Sequence, residues 1–276
     1  MDNFLTDYDF NLIKALIYNH SGIHFSTINR SILESRLKER LKVIKMTSAR
    51  KYYNLLLVNR DELNILLDSV TTNLTRFFRN YGHFKAFEKY VVEKIMDYKS
   101  AKNCKYIRVW SAGCATGEEP YSIAMVLKDK LPSNIKIQVI GSDISLKSLM
   151  TAKQGYYPEN RVKDVPGYYL KRYFEKKSDG YTIKEEIRNL IQFDYHNLKF
   201  DSGQQAFDIV FCRNVIIYFD SEAQKATINR LWRAMSEYSF LFIGHSESLF
   251  GMNTKFKFVK TEWTTLYAKN TEKEGV

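Results

Sequence analysis

The second half of the chain alternates short β-type apolar runs with helical stretches. A strand predicted over Tyr106 to Trp110 leads through the glycine loop 111–117 into a helix from Glu118 to Lys130, and the next predicted strand is Ile135 to Ile140. Such alternation is typical of a parallel sheet covered by helices on both faces. We therefore predict an α/β domain over residues 106–276.

An insertion interrupts this alternation at residues 156–188. The segment is rich in Tyr and Lys and has a turn signal at Ser178 to Gly180, next to the β-like run Tyr181 to Ile183. These features predict a small antiparallel β-subdomain inserted in the α/β domain.

The first part of the chain has a helical pattern. Between Asp9 and Glu88 apolar residues recur three or four positions apart and proline is absent, which predicts an all-α domain over 1–88 and a linker over 89–105. One helix has a predicted buried stripe of Ile32, Leu33, Leu37, Leu41 and Ile44. On its opposite side we expect a continuous basic face formed by Arg36, Lys38, Arg40, Lys42 and Lys45.

The composition narrows the class of protein. The chain has 276 residues and a net charge of +11, which favours acidic partners without choosing among polyanions, membranes and proteins. Three scattered cysteines indicate a reducing compartment, and we expect no metal because no cluster has ligand spacing. The acidic N-terminus does not resemble a signal peptide, and no apolar run reaches the ~18 residues of a membrane span, so we expect a cytoplasmic protein.

The loop after the first strand predicts a ligand site. Gly113 and Gly117 are expected to let a nucleotide-like ligand approach the backbone, while Glu118 and Glu119 disfavour the pyrophosphate of NAD or FAD. An acidic loop would suit a cofactor with a sugar and a positive charge. Asp143 ends the second strand near the point, roughly 20 residues after such a loop, where acids bind ribose hydroxyls. The alternatives are a tight structural turn and, for Asp143, a helix N-cap.

Four stretches together resemble one known family. They are Thr71–Arg79 (TTNLTRFFR), Trp110–Ser122 (WSAGCATGEEPYS), Phe207–Phe219 (FDIVFCRNVIIYF) and Gly244–Ser248 (GHSES). They are similar to the CheR family of chemoreceptor protein-glutamate O-methyltransferases, and the resemblance spans nearly the whole chain.

The resemblance implies a Rossmann-like S-adenosylmethionine (SAM) domain with an inserted β-subdomain, preceded by an all-α domain. It implies SAM as cofactor, S-adenosylhomocysteine as product, and cytoplasmic signalling helices of methyl-accepting chemotaxis receptors as partners, docked on the basic face. Arg79 and Tyr218 would be catalytic residues near the transferred methyl group. The implied cofactor contacts, together with Gly113 of the loop, are Asn73, Thr75, Arg79, Glu119, Asp143, Asn197, Leu198, Asn214 and Val215.

The sequence also allows other functions for this chain. The positive charge and many aromatic residues would suit a nucleic-acid methyltransferase, although Asn214-Val215-Ile216 lacks the two prolines usual in enzymes that methylate exocyclic amines. A non-catalytic scaffold that keeps the fold is a second alternative. Independently, the basic face has the alternative of being only a solvated surface, and His245 near Glu247 has a structural or pocket-lining role more often than a catalytic one. We expect a monomer that neither inserts into membranes nor binds nucleic acid.

Overall fold

The computed structural model describes residues 4–71 and 73–269. Thr72 of the motif Thr71–Arg79 and residues 1–3 and 270–276 of the predicted domains lie outside the described residues. The first domain contains four helices: α1 (Asp7–Ser21), α2 (Arg30–Val43), α3 (Ala49–Val58) and α4 (Arg60–Val70). Oxygen atoms of Thr6, Ser48 and Asn59 accept backbone N–H groups at the starts of α1, α3 and α4, as preferred N-cap residues do.

The core of this domain centres on the leucines of α2. Leu33, Leu37 and Leu41 are buried at i, i+4 and i+8, as predicted. Ile32 was wrongly placed in this stripe and is 53% exposed, because it points about 100° away from Leu33 around the helix. Ile44 lies beyond the end of α2 and is only partly buried.

A long helical segment connects the domains. It comprises α5 (Tyr81–Ala86), a π-helical turn (Phe87–Val91) and α6 (Val92–Ala101). Residues 89–105, expected as a linker, are thus mostly helical, and their side chains join the core of the α/β domain. Phe87, Val91 and Ile95 are fully buried there, because their spacing of four residues places them on one helix face. Residues 73–80, which precede this segment, contain neither helix nor strand.

The α/β domain has the predicted alternating architecture. Its elements in chain order are β1 (Tyr106–Ala112), α7 (Glu118–Lys130), β2 (Lys136–Asp143), α8 (Leu146–Gln154), β3 (Tyr156–Pro158), α9 (Glu159–Val162), α10 (Gly167–Tyr173), β4 (Phe174–Lys176), β5 (Gly180–Ile183), α11 (Glu185–Arg188), β6 (Ile191–Tyr195), β7 (Phe207–Cys212), a 3₁₀ turn (Ile216–Tyr218), α12 (Ser221–Ala234), β8 (Met235–Ile243), β9 (Lys257–Lys260) and β10 (Thr265–Lys269).

Seven strands form the main sheet in the order β6-β2-β1-β7-β8-β10-β9. The first five are mutually parallel, and β10 runs antiparallel to both β8 and β9. The carboxyl ends of β1, β2, β6 and β7 therefore meet at one edge, with the crossover between β1 and β7 at the centre. Ligands of open α/β sheets bind at such an edge.

The insertion forms a second, antiparallel sheet in the order β3-β5-β4, as predicted. Its turn between β4 and β5 is closed by a hydrogen bond from Lys177 N to the Gly180 carbonyl (2.9 Å). Across the described part of the chain, no helix combines the length and apolar character that crossing a bilayer requires.

Candidate active site

A cleft of about 910 Å³, including the space open to solvent, lies at the carboxyl edge of the main sheet. Its walls come from both domains, since Ser21, Ile23 and Val70 of the helical domain face the loops after β1, β2, β6 and β7. The structure brings every predicted cofactor residue and Tyr218 to this cleft. These residues are Asn73, Thr75, Arg79, Gly113, Glu119, Asp143, Asn197, Leu198, Asn214, Val215 and Tyr218.

The loop after β1 owes its shape to close packing. Gly113 has a positive φ of 84°, and a Cβ there would collide with the Val215 side chain. Gly117 similarly leaves room for Ala152 and the Tyr157 hydroxyl. Neighbouring protein groups therefore leave no room for a side chain at either glycine, and Gly113 also lines the cleft.

Asp143 holds this loop next to the end of β2. Its carboxylate accepts hydrogen bonds from Ala115 N and Ser145 N, both at 2.8 Å. Ala115 reaches it through a strained left-handed φ of 47°. Ser145 itself caps α8 by accepting the N–H of Ser148 (3.1 Å), so the N-cap alternative for Asp143 is excluded. Burial raises the pKa of Asp143, although its backbone donors act in the opposite direction.

The two acids at the start of α7 have different positions. Glu119 lines the cleft and accepts hydrogen bonds from the Ser111 hydroxyl (2.7 Å) and the Arg213 guanidinium (3.0 Å). Glu118 is fully buried and turns away to form an ion pair with Arg161 of the insertion. Only Glu119 of this pair therefore presents an acceptor to the cleft.

Arg213 is a site residue that sequence reasoning missed. It is buried, and its guanidinium donates to Glu119 and to the backbone carbonyl of Arg79 (2.6 Å), which connects the start of α7 to the segment 73–80. Burial lowers the pKa of Arg213, and the charge of Glu119 opposes that effect. The signal available in the sequence was its position beside Asn214 at the end of a buried strand.

The segment 73–80 presents Arg79 to the cleft. Phe78 N donates to Ser122 Oγ (3.0 Å), and one Arg79 N–H donates to the Leu74 carbonyl (2.9 Å). Phe78 and Asn80, on either side of Arg79, have positive φ values of 51° and 65°. Strained non-glycine residues persist where the surrounding structure fixes them, and they concentrate at functional sites.

The loop after β7 is held by Glu247. Its carboxylate accepts N–H groups of Gly244 (2.5 Å), Asn214 (2.8 Å) and Ile217 (3.2 Å). This assigns the GHSES motif a structural role, because it orients the turn that carries Asn214 and Tyr218 into the cleft. The contacts with Asn214 and Ile217 could not be inferred from sequence, since 30 residues or more separate them from Glu247.

The cleft is closed on the helical side by the end of α1. The Asn197 amide donates to the His20 carbonyl (2.5 Å), and Lys199 Nζ donates to the carbonyls of Asn19 (2.7 Å) and Tyr18 (3.1 Å). His24 N donates to the Tyr218 carbonyl (2.8 Å). Asn197 thus both lines the cleft and joins the two domains.

Several polar atoms of the cleft are suited to a ligand with donor groups. Asn214 Oδ1 and His196 Nε2 are buried, line or adjoin the cleft, and have no hydrogen-bond partner among the described residues. Burial also lowers the pKa of His196, which keeps its ring neutral. Buried polar groups are normally satisfied, so these atoms point to a bound molecule. Together with Glu119 and Asp143 they fit a cofactor that carries hydroxyls, amino groups and positive charge.

The predicted docking residues do not form one surface. Arg36, Lys38, Lys42 and Lys45 are exposed, but Arg40 donates to Glu62 (2.7 Å) and only 18% of its side chain is exposed. At about 100° per residue, Arg36 and Arg40 lie on one flank of the buried leucines and Lys38 and Lys42 on the other. The expected continuous basic face is therefore corrected to a lysine cluster of Lys38 and Lys42 on α2, with Arg36 apart from it. Lys45 lies beyond the end of the helix and has a left-handed φ of 55°.

The sheet order, its single reversed strand β10 and the acceptor-rich cleft define a SAM-dependent methyltransferase. Comparison with known proteins identifies the family. Residues 73–265 match the family described as CheR methyltransferase, SAM binding domain, and residues 8–71 match CheR methyltransferase, all-alpha domain. The chain therefore belongs to the CheR methyltransferase family, and the predicted family, enzyme class and SAM cofactor are confirmed.

Curated relatives align over most of the chain. A chemotaxis protein methyltransferase of Borreliella burgdorferi is 36% identical over 249 residues, which cover 87% of each chain. That of Escherichia coli K12 is 35% identical and covers 91% of this chain and 88% of its own. Chemotaxis protein methyltransferase 2 of Vibrio cholerae is 31% identical and covers 96% and 94%.

Proposed function

We propose that this enzyme methylates glutamate side chains in the cytoplasmic signalling helices of methyl-accepting chemoreceptors. The product would be a glutamate methyl ester made during sensory adaptation. The observation that carries the proposal is the position of Arg79, a guanidinium at the mouth of an acceptor-rich cofactor cleft. We further propose that the enzyme acts as a monomer in the cytoplasm, without membrane insertion and without nucleic acid.

The side chains of the cleft suit an acceptor that is already ionised. A glutamate carboxylate, with a pKa of about 4.3, needs no general base at neutral pH. Arg79 donates one N–H to Leu74 within the described residues, and its guanidinium has five N–H groups in all. The remaining N–H groups of the planar guanidinium can align a carboxylate by paired hydrogen bonds. Tyr218 can donate its hydroxyl to the same group without adding charge.

The cofactor residues have separate tasks. Asp143 would accept ribose hydroxyls, while Glu119 and Asn214 would accept amino groups of the cofactor. When bound, SAM supplies a methyl group activated by a positively charged sulfur. Ile23, Leu198 and Val215 provide apolar surface that excludes water from the reacting carboxylate, whose charge is lost in the ester.

The lysine cluster of α2 would bring the enzyme to its substrate. Lys38 and Lys42 are exposed, as is Lys45 beyond the end of the helix, and receptor helices that carry methylated glutamates are acidic. Charge complementarity of this kind chiefly raises the association rate and weakens with salt.

The test is transfer of tritiated methyl groups from SAM to a purified cytoplasmic receptor fragment from the organism that encodes this chain. The label should be released as methanol by alkali, as expected of a carboxyl ester and not of an N-methyl group. Arg79→Lys should lower kcat/KM about 10- to 100-fold because the planar fork is lost. Asp143→Ala should abolish binding of S-adenosylhomocysteine, measured by calorimetry. An alkali-stable label, or near-normal turnover by Arg79→Lys, would contradict the proposal.

A further inference from the structure

A second cleft opens from the mouth of the first. It has a volume of about 850 Å³, including open space, and shares Leu74, Thr75 and Arg79 with the cofactor cleft. Its other lining residues are Arg76, Asn160, Arg161, Lys163 and Asp164. It therefore runs from the proposed methyl-transfer site to the inserted β-subdomain, between the segment 73–80 and α9.

Both walls of this groove are held in place by buried contacts. On one side, the buried Phe77 ring packs edge to face against Tyr157 (4.9 Å between centroids) and Phe174 (5.4 Å) of the insertion. On the other side, Arg161 on α9 donates to Glu118 (3.0 Å) and to Thr116 (2.7 Å), next to the glycine loop. The groove is thus preformed, which lowers the entropic cost of binding a chain in it.

The charges along the groove are mostly positive, and two of its cations are available to a partner. Arg161 is neutralised by the buried Glu118, and Arg79 serves the reacting carboxylate in the proposed function. Arg76 has 60% of its side chain exposed and meets Asp164 at only 3.8 Å, which is a weak contact. Lys163 is exposed on the opposite wall. Arg76 and Lys163 therefore add two cations beside the reacting position, opposed by the one carboxylate of Asp164.

We propose that this groove binds the acidic residues that flank the methylated glutamate on its receptor helix, and that Arg76 and Lys163 select substrates by those charges. The inference rests on the proposed function. Residues three or four apart on a helix lie one turn, about 5.4 Å, from each other on the same face. With the target carboxylate at Arg79, carboxylates one turn away enter the groove and meet Arg76 and Lys163.

The experiment compares variants in methyl transfer to the purified receptor fragment at low ionic strength. The Arg76→Gln, Lys163→Gln double variant should raise KM for the fragment about fivefold, as expected for two exposed ion pairs, with a smaller change in kcat. Asp164→Asn removes the competing carboxylate and should lower KM about twofold. Lys94→Gln on α6, which lines neither cleft, is the matched control for lost charge. Melting temperature and affinity for S-adenosylhomocysteine verify that each variant is folded.

A second substrate separates charge recognition from a structural effect. In a receptor fragment whose acidic residues one turn from the target are changed to glutamine, wild type and double variant should have the same KM. High salt should remove the difference on the original fragment. Equal KM values of wild type and double variant on the original fragment would overturn the groove proposal alone. Absence of any transfer by the wild type would instead refute the proposed function, and the groove assignment with it.

Discussion

Replacing Glu247 by glutamine tests whether the loop after β7 depends on a single carboxylate. In the native chain one oxygen of Glu247 accepts the N–H groups of Gly244 and Asn214, and the other accepts that of Ile217. A glutamine has only one acceptor oxygen. If that oxygen keeps Gly244 and Asn214, the amide NH₂ group faces the Ile217 N–H, and this hydrogen bond is replaced by repulsion.

The expected cost follows from the bond that is lost. A hydrogen bond to a charged group contributes about 1.5–3 kcal/mol, and since Glu247 is only partly buried the lower end applies, about 1.5–2 kcal/mol. For a domain of this size, that lowers the melting temperature by about 3–8 °C. If the same free energy is required to place Tyr218 during reaction, turnover falls about tenfold or more.

The assay combines thermal unfolding, binding of S-adenosylhomocysteine and methyl transfer. Asn214 lines the cofactor cleft, so cofactor affinity should weaken together with turnover. Glu262→Gln, on the exposed turn between β9 and β10, is the matched control and should change none of the three. A Glu247→Gln variant with native melting temperature, affinity and turnover would show that the carboxylate does not organise this loop.

Two further predictions concern the helical domain. Hydrogen bonds from Arg40 and Tyr52 hold the pKa of Glu62 below its usual value, so its stabilisation is present above about pH 4.5 and is lost as the pH falls through the lowered pKa. Glu62→Gln should destabilise the chain by about 3 kcal/mol at neutral pH in urea unfolding, with a difference from wild type that shrinks in acid; a constant difference would contradict this reasoning. The Lys38→Glu, Lys42→Glu pair should raise KM for the receptor fragment about threefold or more at low salt only, unlike Lys94→Glu, and an unchanged KM would remove the docking assignment.

The sequence predicted those elements whose pattern is set by local interactions. The bounds of α7 agree with the prediction, because its apolar run and the preceding turn residue Gly117 are local features of the sequence. The helical sequence pattern that begins at Ser221 continues to Glu237, but α12 ends earlier, at Ala234, because pairing with β7 draws Met235 into β8. Strand pairing is a tertiary contact, and a single segment does not encode it.

For the candidate site too, the sequence predicted the residues but not the tertiary contacts between them. The family resemblance selected residues that the fold places around one cleft, including Asn73 and Asn214, which are far apart in the chain. It did not predict that Arg213 forms hydrogen bonds to both Glu119 and the Arg79 carbonyl, or that Arg40 forms one to Glu62. Both depend on which partner lies opposite after folding, and that information is absent from periodicity and local spacing.

The hydrogen bonds between the end of α1 and the loop after β6 have a geometric consequence for substrate choice. Asn197 and Lys199 donate hydrogen bonds to the last carbonyls of α1, and the charge of Lys199 interacts favourably with the helix dipole at that end. His24 N donates a hydrogen bond to the backbone carbonyl of Tyr218. These contacts thereby fix the distance between the lysine cluster on α2 and the proposed methyl-transfer position. In the proposed function, only glutamates at a matching distance, and on the facing side of a receptor helix bound to the cluster, would reach Arg79. The distance between the lysine cluster and Arg79 would then determine which positions along the substrate are methylated.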